Sequence, residues 1–124
     1  ADVIFHNADA AGLGVFNAVQ DAVKAGKPVI AFGSNANQND LVTEPDVVMA
    51  SAVMDLGKAF DAVAEEVRAG KFQGTQRSLG MKEGFVSLAI NPKLESKIPK
   101  ETLKKVQDAE RAIREGYLTV KQRS

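Results

Sequence analysis

The stretch that decides the fold runs from Ala1 to Phe16 and reads Ala-Asp-Val-Ile-Phe-His-Asn-Ala-Asp-Ala-Ala-Gly-Leu-Gly-Val-Phe. Its apolar residues 3–5 predict a buried strand, and a glycine-containing helix start follows after a short polar loop. In open α/β sheets, ligands bind beyond the carboxyl ends of the strands, where helices begin and backbone N–H groups are unpaired. We therefore expect functional residues in the loop that joins this strand to this helix.

Composition narrows the classes of function. The chain has 124 residues, the size of one ordinary domain. Its 16 basic residues balance 16 acidic ones, so no net field attracts nucleic acid. It contains neither cysteine nor an apolar run near the roughly 20 residues that cross a bilayer. We expect no nucleic-acid partner, no disulfide and no membrane span within these residues.

The first half of the chain alternates strands and helices. Apolar residues recur at helical spacing from Val15 to Val23, and Gly26 ends that helix. A short apolar run at 29–32 predicts a second strand, and the polar residues 33–40 after it predict a loop.

A third strand is predicted at 47–53, and Asp55 follows it as the N-cap of a second helix. That helix ends at Gly70 in the sequence Val-Arg-Ala-Gly-Lys, which repeats the Val-Lys-Ala-Gly-Lys of the first helix end. The alternation predicts an α/β fold with a largely parallel sheet flanked by helices.

The last third follows a different pattern. Short apolar runs at 78–81 and 85–90 predict two strands, which form either a hairpin or a pair of crossing strands. Pro99 and apolar residues spaced up to Ile113 predict a final helix, and residues 117–120 predict a terminal strand.

Three features carry candidate chemistry, each with two interpretations. Gly12-Leu13-Gly14 opens a helix as dinucleotide loops do, but Asn17 replaces the third glycine, so tight helix packing is the alternative. His6 is the only histidine and lacks partners for a metal site, which favours a residue that lines a ligand or is simply hydrogen-bonded. The amides in 34–40 suit recognition of a neutral polar ligand or plain turn formation.

Catalytic motifs are absent from the sequence. It contains no Gly-x-Ser-x-Gly elbow, no His-Glu-x-x-His pair and no Walker-type Gly-Lys-Ser. Glu65, Glu66 and Glu110 lie among basic residues on helix faces that solvent should cover. We expect no enzymatic activity, no cofactor and no metal ion.

Several segments together resemble a known family in their order along the chain: Ala-Asp-Val-Ile-Phe (1–5), Gly-Leu-Gly-Val-Phe (12–16), Pro-Val-Ile-Ala-Phe-Gly-Ser-Asn (28–35), Asp-Val-Val-Met-Ala-Ser-Ala-Val (46–53) and Gly-Met-Lys-Glu-Gly-Phe-Val-Ser-Leu-Ala (80–89). They are similar to the C-terminal part of the basic membrane protein family. Its members are substrate-binding lipoproteins of ABC importers, several of them purine nucleoside receptors. The resemblance implies a type I periplasmic-binding-protein fold, of which residues 1–124 form the C-terminal portion.

The resemblance also implies a site and partners. Family members close two lobes around a small ligand, and the closed form is recognised by the importer permease. Here the matching positions are the loop from His6 to Gly12, the strand end from Phe32 to Asn35, and the strand end at Met54. We expect a periplasmic or otherwise extracytoplasmic bacterial protein, held at the membrane by a lipid anchor outside this chain. We also expect the chain on its own to self-associate.

Departures from the family pattern leave the ligand open. Gly33 stands where nucleoside-binding members carry an acid that holds ribose hydroxyls, and Met54 stands where they carry a lysine. Asp9-Ala10-Ala11 replaces the usual Gly-Gly-Thr. A nucleoside, a nucleobase, a flavin-like heterocycle or another small polar metabolite fits the pattern.

The candidate ligand-binding residues lie in three segments. We expect four side chains to hydrogen-bond the ligand: His6, Asn7, Asp9 and Asn35. Gly33 should allow close approach of the ligand, Met54 should form an apolar wall, and Gly12 is a further candidate ligand-binding residue. Two other functions stay open: a Rossmann-type nucleotide-binding enzyme that uses Gly12 and Gly14, and a ligand-sensing regulatory domain.

Overall fold

The computed structural model describes residues 1–121. Seven helices and strands follow one another within these residues: β1 (Val3–Phe5), α1 (Gly12–Lys24), β2 (Ile30–Asn35), β3 (Val48–Met54), α2 (Leu56–Arg68), β4 (Val86–Ile90) and α3 (Lys100–Arg114). Single 3-10 turns occur at Asp9–Ala11 and Glu95–Lys97. No described helix is both long and apolar enough to span a membrane.

The four strands form one sheet in the order β1-β2-β3-β4. β1 pairs in parallel with β2, and β2 pairs in parallel with β3, with Phe5 opposite Phe32 and Gly33 opposite Ser51. β4 runs antiparallel to β3, because Asn91 N–H donates to the Met49 carbonyl while Asp55 N–H donates to the Phe85 carbonyl. The predicted largely parallel α/β sheet is thus confirmed, with one antiparallel edge.

The chain divides into two compact units. Unit 1 comprises Ala1–Met54 and Leu88–Pro99, and unit 2 comprises Asp55–Ser87 and the segment from Lys100 onward. The core of unit 1 forms where α1 packs on the parallel strands. Its buried apolar residues are Phe16, Val19, Ala31, Val42, Val47 and Val48.

The local signals for helix ends are confirmed. Gly26 and Gly70 both adopt positive φ, 80° and 66°. In both helices, the glycine N–H donates to the carbonyl three residues earlier, and the N–H of the following lysine donates to the carbonyl five residues earlier. These are the two hydrogen bonds of a Schellman motif. Asp55 caps α2, since its Oδ1 accepts a 2.8 Å hydrogen bond from Lys58 N–H.

Four sequence predictions are wrong in detail. Residues 3–5 form β1, but this strand is not buried: it lies at the edge of the described sheet, and Val3 and Phe5 are 51% and 62% exposed. β2 continues through Asn35 instead of ending at residue 32. Residues 78–81 form no strand, because the Gly80 carbonyl accepts from Phe85 and Val86 N–H within a turn. Residues 117–120 form no strand either, and the Leu118 N–H completes the end of α3 by donating to the Ala112 carbonyl.

Candidate functional site

All seven predicted site residues lie in unit 1. His6 and Asn7 follow β1, Gly33 and Asn35 lie at the end of β2, and Met54 is the last residue of β3. Asp9 begins the 3-10 turn before α1, and Gly12 is the first residue of α1. Because β1, β2 and β3 are parallel, their carboxyl ends form one edge of the sheet. We call this the carboxyl edge; it is where open α/β sheets bind ligands.

His6 is the buried residue at the carboxyl edge of β1. Its side chain is 6% exposed, and its ring meets Phe16 edge to face with 4.8 Å between centroids. Nδ1 accepts a hydrogen bond of 3.3 Å from the Ala8 N–H. Nε2 is buried and has no hydrogen-bond partner among the described residues. The imidazole therefore has one nitrogen fixed by the backbone and one left unpaired.

Gly12 makes room for this imidazole. A Cβ at Gly12 would lie 2.7 Å from both ring nitrogens of His6 and closer still to Cε1. A Cβ at Gly14 would meet nothing within 4 Å. Of the two interpretations of Gly12-Leu13-Gly14, the structure supports close packing at Gly12. The space beside the Cα of Gly12, a candidate ligand-binding residue, is therefore occupied by His6.

Gly33 is likewise required by its neighbours. A Cβ there would lie 2.6 Å from Gln38 Oε1 and 2.8 Å from Ser51 Oγ. The space beside this glycine is filled by protein, so ligand approach at Gly33 would have to use its backbone atoms.

Buried amides tie the loop after β2 to the sheet. Gln38 Oε1 accepts from the Ser34 N–H at 2.9 Å, and Ser51 Oγ accepts from the Gln38 N–H at 3.0 Å. The Ser51 hydroxyl donates to Asn39 Oδ1 at 2.8 Å, and Asn39 Nδ2 donates to the Ala89 carbonyl. We call these side chains, with Asn91, the amide network. The network fixes the path of the chain beyond the carboxyl edge.

Asn91 anchors the other side of this network. It is fully buried, and its Nδ2 donates to the carbonyls of Val48 and Asn39. Sequence reasoning missed Asn91, Ser51 and the structural role of Gln38 and Asn39. The available signal was a single polar residue inside or directly after an apolar run, which in a buried strand needs a partner.

The amides at 34–40 therefore divide into two groups. Gln38 and Asn39 serve the amide network, and Asn37 Oδ1 accepts from the Asn39 N–H. Asn35 is half-buried in the left-handed conformation at φ 70°, and its side chain has no hydrogen bond within the described residues. Asn35, the last residue of β2, therefore keeps its side-chain amide open to a ligand at the carboxyl edge.

The other predicted contacts are exposed. Asn7 and Asp9 are solvent-accessible, and Met54 is 44% exposed at the end of β3. Lys93 forms an ion pair with Asp40 at the end of the loop, with 2.9 Å between Nζ and Oδ1. The hydrogen bond from Lys93 to this carboxylate raises the pKa of Lys93. Within residues 1–121, no group of three or more histidine or acidic side chains could hold a metal ion.

The family assignment follows from the sequence match across this fold. A model of the Bmp family, described as ABC transporter substrate-binding protein PnrA-like, matches residues 1–122. The chain belongs to this family. No protein of curated function matches the chain in sequence.

Solved structures show the same fold. An ABC transporter solute-binding protein from Aeropyrum pernix K1 superposes with a TM-score of 0.79 at 21% identity, covering 100% of this Bmp chain and 41% of the other. A transcriptional activator of the comK gene from Bacillus halodurans superposes with a TM-score of 0.73 at 24% identity. The match covers 90% of this chain and 36% of the activator. An ABC transporter solute-binding protein from Conexibacter woesei DSM 14684 superposes with a TM-score of 0.59 at 21% identity. The match covers 98% of this chain and 37% of the other. The Bmp chain thus spans about two fifths of the length of its structural relatives.

Proposed function

We propose that this chain is part of the solute-binding component of an ABC importer and that it binds a small polar ligand at the carboxyl edge of unit 1. The proposal rests on the position of His6, Asn35 and Met54 at the carboxyl ends of three adjacent parallel strands. Membership of a substrate-binding family supports a binding role at this edge rather than catalysis.

The proposed contacts combine polar recognition with an apolar surface. His6, Asn7, Asp9 and Asn35 would hydrogen-bond the ligand, and Met54 would cover one face of it. Gly12 and Gly33 would contribute backbone atoms, because protein side chains already occupy the space beside their Cα atoms. A nucleoside, a nucleobase or a similar heterocycle offers the polar atoms and the apolar face that this set of side chains would contact.

The role of a solute-binding component in an importer implies the partners of this chain. The second lobe would close over the carboxyl edge, and the importer permease would recognise the closed receptor outside the cytoplasmic membrane. A lipid anchor would lie outside these residues. The chain by itself would self-associate through apolar side chains that unit 1 exposes, such as Val3 and Phe5 at 51% and 62% exposure. A monomeric sedimentation profile at high concentration would argue against self-association.

Ligand sensing is the alternative within the same fold. One structural relative is described as a transcriptional activator, and fold alone does not separate a sensor from a transport receptor. Both would bind a ligand without turnover, whereas the Rossmann-type enzyme would bind a dinucleotide at Gly12 and Gly14. The packing of Gly12 against His6 gives that enzyme no support.

A thermal unfolding series tests the proposal. The chain is melted alone and with nucleosides, nucleobases, riboflavin and NAD, each at high excess. A ligand present at 100 times its Kd should add about 2.7 kcal/mol to the free energy of unfolding. We expect a shift with one class of heterocycle and no product after prolonged incubation. A shift with NAD alone, or turnover of any compound, would favour the enzyme instead.

A further inference from the structure

β1 is an edge strand with one free side. It lies at the end of the strand order and pairs with β2 alone. The Ile30 N–H donates to the Asp2 carbonyl at 2.9 Å, and the parallel register directs the backbone groups of Ile4 toward β2 as well. Because backbone groups alternate between the two sides of a strand, the N–H and C=O groups of Val3 and Phe5 point away from the described sheet.

The side chains at this edge are apolar and exposed. Val3 and Phe5 are 51% and 62% exposed, whereas Ile4 packs against the core of unit 1. Edge strands are commonly protected from further pairing by lysine, by proline or by a β-bulge. Residues 1–6 contain neither lysine nor proline, and the register of β1 with β2 is regular. The free side of β1 can therefore accept another strand.

The edge is complementary to a second copy of itself. In an antiparallel pair around a two-fold axis at Ile4, Val3 of each copy lies opposite Phe5 of the other. Each such pair exchanges two backbone hydrogen bonds, because both residues turn their N–H and C=O groups to the free side. Their side chains meet on one face of the sheet as an aromatic and a β-branched neighbour, a pairing that stabilises sheets.

This register also keeps like charges apart. Asp2 is the acidic side chain within residues 1–6, and it lies opposite residue 6 of the other copy, not opposite the other Asp2. The strand is only three residues long, so it buries less than the roughly 1,200 Å² of a stable interface. The dimer should therefore be weak and depend on protein concentration.

We infer that two copies of the chain associate by antiparallel pairing of their β1 strands, which joins the two sheets into one. This inference rests on the proposed self-association, gives it a defined surface and is independent of the ligand. A two-fold contact of this kind is closed, because each copy contributes its single β1 edge. The assembly should end at the dimer.

Two matched double variants test the surface. Val3→Lys with Phe5→Lys places lysine opposite lysine across the pair, and like charges directly opposite each other are destabilising. The control, Phe60→Lys with Val67→Lys, changes the same residue types on α2 of unit 2, where they are 73% and 58% exposed. Sedimentation velocity is measured from micromolar to millimolar concentration. We expect dimerisation to weaken roughly tenfold or more in the β1 variant and to be unchanged in the control.

A single cysteine tests the register. The chain has no cysteine of its own, so Ile4→Cys introduces one thiol per copy. In the inferred register the two positions face each other as a non-hydrogen-bonded pair with Cα atoms about 4.5 Å apart, a separation that a disulfide can span. Mild oxidation should crosslink Ile4→Cys into dimers. Val67→Cys, which is exposed on α2, should crosslink far less.

The outcomes distinguish this inference from the proposals above. A wild type that stays monomeric at millimolar concentration would overturn both the β1 pairing and the proposed self-association. Loss of dimers in the α2 variant alone, or crosslinking of Val67→Cys instead of Ile4→Cys, would overturn the β1 pairing only. Wild-type assemblies larger than a dimer would contradict a closed two-fold contact. The ligand is tested separately by the thermal unfolding series.

Discussion

Unit 1 and unit 2 are stabilised by different kinds of interaction. Unit 1 contains every buried residue that the structure describes, apolar side chains and the amide network alike. In unit 2, the described side chains are at most half-buried, and many of its polar contacts are exposed ion pairs, such as Arg77 with Glu66. The candidate site therefore lies on the unit in which buried packing holds side chains in fixed positions.

The two units respond differently to sequence change for the same reason. A buried side chain that is shortened leaves a cavity or an unpaired polar group, and both are costly. An exposed one leaves solvent-filled space. Matched substitutions of the same residue type in the two units therefore measure the comparison directly.

The largest difference is expected for a pair of phenylalanines. Phe16 is fully buried in unit 1, and Phe60 is 73% exposed on α2 of unit 2. Phe16→Ala should lower the free energy of unfolding by about 3–5 kcal/mol, and Phe60→Ala by less than about 1 kcal/mol. Urea unfolding monitored by circular dichroism measures both. Equal losses would show that Phe60 is buried in solution by a contact outside the described chain.

A pair of serines tests the amide network. Ser51→Ala removes the partner of the Gln38 N–H and of Asn39 Oδ1, and should cost about 2–4 kcal/mol. Ser87 is half-buried on β4, and Ser87→Ala should change stability by less than about 0.5 kcal/mol. The same denaturant series applies. If Ser51→Ala is as stable as the wild type, water must replace the hydroxyl, and the amide network is then accessible to solvent.

A pair of glycines tests close packing at the carboxyl edge. Gly33→Ala places a methyl group 2.6 Å from Gln38 Oε1 and should destabilise by about 1–3 kcal/mol. Gly57 lies in the first turn of α2, where a Cβ would meet only Asp55 Oδ1 at 3.5 Å. Gly57→Ala should stabilise by up to about 1 kcal/mol through helix propensity. Thermal unfolding of both variants checks the opposite signs, and a neutral Gly33→Ala would contradict the observed packing.

The smallest effect concerns the exposed ion pair of unit 2. Arg77 donates two hydrogen bonds to Glu66, at 2.6 and 2.7 Å, and they hold the pKa of Glu66 below its usual value. The pair therefore stabilises the fold above the pKa of the unfolded glutamate, and the contribution is lost as pH falls through the folded pKa. As the pH is lowered, the free energy of unfolding should fall less in Arg77→Gln and in Glu66→Gln than in the wild type. Identical curves for both variants and the wild type would show that the pair does not form in solution.

The sequence predicted secondary structure well where the conformation depends on residue type and on hydrogen bonds to residues close in sequence. Gly26, Gly70 and Asp55 end or begin helices through bonds to neighbours a few residues away, and their roles could be predicted from residue type. Residues 78–81 and 117–120 have strand-like composition, but a strand needs a partner elsewhere in the chain. Their sequences carry no information about that partner, so both predictions failed.

The candidate site was predictable in place but not in detail. The polar residues after Phe5 and Phe32 located the carboxyl edge, because ligand sites in such sheets follow strand ends. The contact of Gly12 with His6, and that of Gly33 with Gln38 and Ser51, joins residues from different elements. Only the packed structure brings those residues together, so the sequence alone could not show that side chains fill the space beside Gly12 and Gly33.

Chemical-shift mapping tests the central claim most directly. The tightest heterocycle from the unfolding series is titrated into the ¹⁵N-labelled chain. We expect the largest amide shifts at the carboxyl edge, around His6, Asn35 and Met54. Unit 1 also has a cavity of about 440 Å³ lined by Ile30 and Val47, and unit 2 a groove of about 510 Å³. Shifts confined to either of those cavities would contradict the assignment of the ligand site to the carboxyl edge.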